Sequence, residues 1–223
     1  FKDVSFSYTG DSSEKNGTFV RFVPDAQLFP NYGFKLEYIE KRLWMYAYLN
    51  SGLSLYFNGQ RYYSANGLQD LLESETGEER LYNIIAYRSK TIEFALTHSD
   101  NYGETSFSFV NGQYTSQGGT HQAAFREAIA KTVKEFYHKD YDASDIRTSI
   151  IAAISVKVTD PVFESQTKIK LGSKEIEPGV SMRNFVLDFI GKHLDDYLHK
   201  HAETAQVLQK KIVENEKERK AIS

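Results

Sequence analysis

The chain lacks cysteine altogether. Disulfides, thiolate zinc sites, iron–sulfur clusters and a cysteine nucleophile are thereby excluded. It also lacks a long hydrophobic run. The longest strongly apolar stretch, Ser149 to Val158, is interrupted by Ser155 and Lys157 and falls far short of the ~20 residues that span a bilayer. Proline, at 4 residues, and glycine, at 14, are too few for a collagen-like or low-complexity chain. Positive charge is not in excess: the net charge is −3 and the pI near 6.1, unlike an overtly basic nucleic-acid binder. The glycine motifs that cradle phosphates, the P-loop and GxGxxG, do not occur. No apolar signal core follows Phe1-Lys2-Asp3, and the first residue is not Met, which points to a piece of a longer protein or to a processed one.

What is present is a globular composition rich in aromatics: 40% apolar, 26% charged, with 15 Tyr, 15 Phe and 1 Trp. At 223 residues the chain is long enough for one large domain or two small ones. Val4, Phe6 and Tyr8 alternate with polar residues, the period of a half-buried strand, and Thr18 to Val23 is a second strand expected to pair with it. Residues 35–49 carry Ile39, Leu43 and Tyr46 at helical spacing, with a stop at Asn50-Ser51-Gly52. Strands are expected at Leu53–Phe57, Tyr82–Tyr87, Thr91–Leu96 and Thr105–Val110, with a tight Asn58-Gly59 hairpin and a short helix near Gly67–Leu72. The cleanest helix runs from Thr120, its expected N-cap, to Tyr137. Ile150–Val158 reads as a buried strand whose first half is apolar on both faces. The last third is helical, with Phe185, Val186, Phe189, Ile190, Leu194, Tyr197 and Leu198 on one stripe. Beyond Ile212 the residues are nearly all charged, as in a solvated helix or a connector.

Several groupings invite a chemical reading. Gly118-Gly119-Thr120-His121 opens a helix whose N–H groups can face an anion. Without full phosphate-cradle spacing, a sharp turn is the stronger reading. His193, Asp195, Asp196, His199 and His201 suggest a metal, but no H-E-x-x-H frame is present and a solvated face is favoured. Asp140, Asp142 and Asp145 suit turn and capping roles better than acid–base work. The most pointed segment is Asp160-Pro161 through Gly172. There Pro161 forces a turn and Gln166-Thr167-Lys168 projects from the following loop. An amide and an ammonium two residues apart can both donate to one phosphate, although such triplets are also common on plain surface loops.

Gln166-Thr167-Lys168, preceded by Ser155-Val156-Lys157-Val158-Thr159-Asp160-Pro161, resembles the ATPase (B) subunits of bacterial type IIA topoisomerases, the group of DNA gyrase and topoisomerase IV. Further blocks agree in the same order: Gly17-Thr18-Phe19-Val20-Arg21-Phe22-Val23-Pro24-Asp25; Arg42-Leu43 through Asn50-Ser51-Gly52; and Phe107-Ser108-Phe109-Val110-Asn111 followed by Gly118-Gly119-Thr120-His121. Where many relatives read Arg-Glu-Gly-Leu, this chain reads Arg147-Thr148-Ser149-Ile150. That departure, with Pro161 to Ser165, leans toward topoisomerase IV over gyrase.

The resemblance implies a layout and an activity. Residues 1–52 correspond to the end of a GHKL ATP-binding domain. Residues 53–200 correspond to a transducer domain, an α/β fold of the ribosomal protein S5 domain 2 type. Residues 201–223 correspond to a charged linker helix toward the DNA-cleavage domain. The family's catalytic glutamate, magnesium-binding asparagine and glycine-rich lid lie upstream of such a piece, and its TOPRIM metal site downstream. No catalytic or metal-binding residue is therefore expected in this chain. The family's Gln and Lys that reach the ATP γ-phosphate fall on Gln166 and Lys168. The implied setting is a cytoplasmic bacterial isomerase using ATP with Mg2+. Its expected partners are duplex DNA, a DNA-cleaving A subunit and a second copy of the same subunit. Lys131, Lys134 and Lys139 are the basic residues expected to meet DNA. The alternative of another class is a non-catalytic S5-like module that binds protein or nucleic acid.

Overall fold

In the computed structural model, which describes residues 10, 13, 15 and 17–222, the chain divides into two compact units, Phe1–Leu36 and Glu37–Ser223. Thr18–Val23, expected to be a strand, is not one: its residues are exposed throughout, Phe19 to 88%. Alternating apolar residues make a strand only when a neighbouring backbone takes up their N–H and C=O groups. The partner expected for it, Val4 to Tyr8, lies outside the described residues. The first unit shows instead a turn at Asp25, whose carbonyl accepts from the Leu28 and Phe29 amides at 3.2 and 2.8 Å.

All of α1 (Leu36–Leu49) but its first residue belongs to the second unit, and its buried residue is Ala47. Trp44, Met45, Tyr48 and Leu49 supply its packing face, and Tyr46, expected on that face, is exposed. Next, β1 (Ser54–Phe57) and β2 (Gln60–Tyr63) pair antiparallel, with Phe57 opposite Gln60. Asn58 and Gly59 alone make the turn, with φ of 48° and 81°. A two-residue hairpin turn needs left-handed backbone at both positions, which Asn-Gly adopts readily. A short helix follows, α2 (Leu68–Thr76).

The main sheet is built from β3 (Ile85–Arg88), β4 (Ile92–His98), β5 (Thr105–Val110), β6 (Gln113–Tyr114) and, after two helices, β7 (Ile150–Val156). Its order is β3-β4-β7-β5-β6, with β7 antiparallel to β4 and parallel to β5. The parallel pair demands a crossover. It is supplied by α3 (Thr120–Tyr137) and α4 (Ala143–Arg147). After β7 come a long loop, the small hairpin β8 (Glu175–Glu177) and β9 (Val180–Ser181), then α5 (Met182–Lys200) and α6 (Ala202–Ile222).

Both faces of the sheet are covered, which is why β7 is apolar on both. Ile150, Ala152, Ile154 and Val156 face a large core shared with Phe94, Phe125, Ile129, Val186 and Ile190. Ile151 and Ala153 face a smaller core with Leu68, Leu71, Leu72 and Phe109. The mixed α/β fold is the class expected. Tyr82 to Ile84 do not join β3; Tyr82 is instead buried against His98. Its hydroxyl lies 2.5 Å from His98 Nδ1, and His98 Nε2 lies 2.7 Å from the Ile146 carbonyl. A carbonyl only accepts, so Nε2 carries the proton and Nδ1 accepts from Tyr82.

The charged tail is helical with most of its charges exposed, as expected, but it is also tied to the fold. The helical run breaks at His201, and α6 packs against α4. Asn215 Nδ2 donates to the Asp145 and Thr148 carbonyls at 2.9 and 3.0 Å. Arg219 grips the buried Asp145 carboxylate with two nitrogens, at 2.7 and 2.8 Å. One charge of a stretch that reads as a solvated face, Arg219, thus binds a buried acid 74 residues earlier, while Glu214, Lys217, Glu218 and Lys220 are exposed as expected.

Candidate functional site

The loop between β7 and β8 holds Gln166 and Lys168 at its tip, and both side chains are exposed. The tip is closed locally: the Lys168 amide donates to the Ser165 carbonyl at 3.0 Å, and Lys168 has φ 57°. The hydroxyls of Ser165 and Thr167 lie 2.6 Å apart. Neither the Gln166 amide nor the Lys168 ammonium has a hydrogen-bond or ion-pair partner among the described residues. Two donors without partners, and no carboxylate from Ser165 to Lys168, suit an anion rather than a metal.

Below the tip the loop is firmly built. The Glu164 amide donates to Lys170 O at 3.0 Å, and the Gly172 amide donates to Val162 O at 2.8 Å. Lys170 and Glu164 form an ion pair at 2.9 Å. Leu171 is buried in the large core.

The seat of this base is the turn before α3. Leu171 donates to Gly118 O at 3.0 Å and accepts from Thr120 N–H at 3.1 Å, while Gln117 N–H donates to Ile169 O at 2.9 Å. Gly119, at φ 136°, lets the two backbones meet. A Cβ there would stand 2.5 Å from Leu171 N and 2.8 Å from its Cα. The Gly-Gly pair therefore acts as a close-approach site for the loop. Thr120 is not the cap: Gly119 is, and the Thr120 hydroxyl donates to Ser173 O at 2.5 Å, tying down the loop's far side. The only signal in the sequence was the pair of glycines, which does not name the loop that meets it.

Behind the seat, His121 is fully buried. Thr115 Oγ1 donates to Ser108 O at 2.8 Å, so His121 Nε2, 3.1 Å away, donates to Thr115 Oγ1. Its Nδ1 is buried without a partner. Burial holds the imidazoles of His121 and His98 neutral, each with a pKa lowered to about 4.

The other candidates are spread differently. His193 stacks on Tyr87 at 4.5 Å, His199 meets Phe136 edge-on at 4.7 Å and His201 stacks on Tyr197 at 3.8 Å. Asp196 pairs with Lys200 at 2.8 Å. Among the described residues no group of three His, Asp or Glu could hold a metal ion. Asp142 caps α4, accepting from Ser144 N–H at 2.7 Å, and Asp140 pairs with Lys134 at 2.9 Å. Asp145 departs from the turn role: it is the buried partner of Arg219. Lys131 lies 3.9 Å from Glu135, and Lys139 sits 5.9 Å from the Tyr141 ring centre. No described helix is long and apolar enough to cross a membrane.

A family model described as DNA gyrase B matches residues 61–223. Over 213 residues the chain is 45% identical to the B subunit of DNA topoisomerase 4 from Borreliella burgdorferi, covering 95% of this chain and 35% of that protein. Over 204 residues it is 33% identical to the B subunit of DNA gyrase from Helicobacter pylori, covering 83% of this chain and 26% of that protein. The chain thus spans only 35% and 26% of the length of these two relatives. Among solved structures, the 43K ATPase domain of Thermus thermophilus gyrase B matches with a TM-score of 0.73 at 24% identity, over 89% of this chain and 58% of that one. The topoisomerase IV ATP binding domain of Francisella tularensis matches with a TM-score of 0.70 at 20% identity, over 88% and 57%. At such identities the structural likeness is one of fold; the sequence matches carry the kinship, and by them the chain belongs to the DNA gyrase B family.

Proposed function

We propose that the chain is the transducer segment of the B subunit of a type IIA topoisomerase, coupling nucleotide state to DNA strand passage. The observation that carries this is the Gln166–Lys168 loop: an exposed pair of donors without partners, on a base bonded to the α3 turn and anchored in the core by Leu171. Displacement of such a tip is passed to the sheet and α3 rather than absorbed locally. In this reading Lys168 and Gln166 donate to the terminal phosphate of ATP. Bound ATP, with Mg2+, supplies the phosphoanhydride whose hydrolysis removes their acceptor. The domain angle then relaxes, because a ligand shifts a conformational equilibrium only through its different affinity for the two states. One or two charge-assisted hydrogen bonds at ~1.5–3 kcal/mol each suffice for a shift of about tenfold to some twenty-thousand-fold.

The 45% identity to the B subunit of a topoisomerase 4, against 33% to that of a gyrase, favours the topoisomerase IV branch. Family kinship favours this reading over a stand-alone binding module. The partners are then duplex DNA, a DNA-cleaving A subunit and a second copy of the same subunit, in the cytoplasm.

The test is turnover in the whole subunit. Lys168→Ala lowers it by roughly a hundredfold or more, and Gln166→Ala, which removes a neutral donor, by less. ADP affinity stays near wild type, since ADP offers nothing at the terminal position. Wild-type turnover by Lys168→Ala would return the loop to a purely structural role.

A further inference from the structure

A second cluster of unused donors lies away from the loop tip, in a cleft of about 390 Å3. Arg88 reaches it from the end of β3, Lys90 from the β3–β4 turn and Lys157 from just past β7. The turn is held by Ser89, whose hydroxyl accepts from the Thr91 and Ile92 amides at 3.2 and 3.1 Å. Lys157 N–H donates to Thr91 O at 2.8 Å, which ties the backbone that carries the third cation to the same turn.

Lys90 and Lys157 make no ion pair among the described residues, and Arg88 has only a long contact to Glu93, at 3.8 Å. The hydroxyls of Thr91 and Ser155, which also line the cleft, have no hydrogen-bond partner there either. Ser51 also lines the cleft, but its Oγ is shut off from solvent and has no partner among the described residues. Glu93 is the one carboxylate lining the cleft, and it already accepts from Leu68 N–H at 2.9 Å, capping α2.

We propose that this cleft binds a phosphate group of a small molecule, at a site separate from the Gln166–Lys168 loop. Three cations with one carboxylate leave a net positive site, and an arginine with hydroxyl donors matches a phosphate dianion. The charges converge on one concavity rather than running as a track, and Lys131 and Lys134 are each paired with an acid. That favours a compact ligand over a nucleic-acid backbone, which needs a row of cations.

The experiment is a titration of the 223-residue chain with orthophosphate and with pyrophosphate, at ionic strength held by chloride, followed by amide NMR shifts. Saturable shifts are expected at Ser51, at residues 88–92 and at residues 155–157. Lys90→Gln with Lys157→Gln weakens binding by about tenfold or more, and the spectrum itself reports whether that variant folds. Glu93→Gln keeps an acceptor for Leu68 and tightens binding several-fold. Lys168→Ala leaves it unchanged, which separates this site from the proposed γ-phosphate contact. Unsaturable shifts scattered over surface lysines, indifference to the double variant, or loss on Lys168→Ala would overturn the proposal. So would a short DNA duplex that shifts the same amides more tightly than pyrophosphate.

Discussion

Replacing Gly119 by alanine tests how the loop is seated. Gly119 has φ 136° and ψ −162°, a region nearly confined to glycine, and an L-residue there costs about 1–3 kcal/mol. The added Cβ would also stand 2.5 Å from Leu171 N and 2.8 Å from its Cα. Both are backbone atoms, so no side chain can swing aside, and the loop base must move off the α3 turn. The bonds at stake are Thr120 N–H to Leu171 O at 3.1 Å, Leu171 N–H to Gly118 O at 3.0 Å and Gln117 N–H to Ile169 O at 2.9 Å. At about 1 kcal/mol net each, with the backbone strain, the expected loss is roughly 4–6 kcal/mol. Urea unfolding measures it, and amide hydrogen exchange at Gln117, Thr120 and Leu171 locates it. Gly118→Ala is the internal control. Its φ is 71° and its nearest neighbour is the flexible Gln122 side chain, so only about 1 kcal/mol is expected. If Gly119→Ala unfolded within about 1 kcal/mol of wild type, with unchanged exchange at Leu171, the close approach would not hold the loop.

Stability should also fall in mild acid. The pKa of His98 and of His121 is lowered to about 4 in the fold, from an ordinary 6.5. Below pH 6.5 the unfolded chain therefore binds more protons than the folded one, and stability drops progressively down to about pH 4, by about 2 kcal/mol per histidine at pH 5. A urea midpoint that stays flat from pH 7 to pH 5 would contradict this. Arg219→Ala strips the partner from buried Asp145, so amides in the C-terminal half of α6 should exchange faster, by about tenfold or more; unchanged exchange would mean that the ion pair does not hold the helix. DNA binding by this chain alone should be weak, given a net charge of −3. Nanomolar affinity for a particular sequence, measured by a salt-titrated binding curve, would refute that.

Local chemistry made much of the fold legible. The limits of α3 and β5 follow from hydrophobic periodicity and from the turn residues around them, because 3.6- and 2-residue periods are properties of the chain itself. The Asn58-Gly59 hairpin was equally plain, since left-handed backbone at two adjacent positions restricts residue choice locally. The apolar first half of β7 announced a strand covered on both faces. The Gln166-Thr167-Lys168 triplet stood out only by resemblance to a family, because its spacing permits a phosphate contact without requiring one.

Tertiary structure decided the rest. It alone put β7 between β4 and β5, because strand order depends on which apolar faces meet and not on chain order. It left Thr18–Val23 without a ladder, although its pattern matched a strand. The N-terminus of α2 is capped by Glu93, 25 residues away, and the charged end of α6 is held by Asp145, 74 residues from Arg219. A cap or a charge pair formed over such separations leaves no mark in local spacing. Gly119 shows the division most clearly. The sequence by itself marked a flexible turn before a helix; only the approach of Leu171 shows why that flexibility is needed and what it positions.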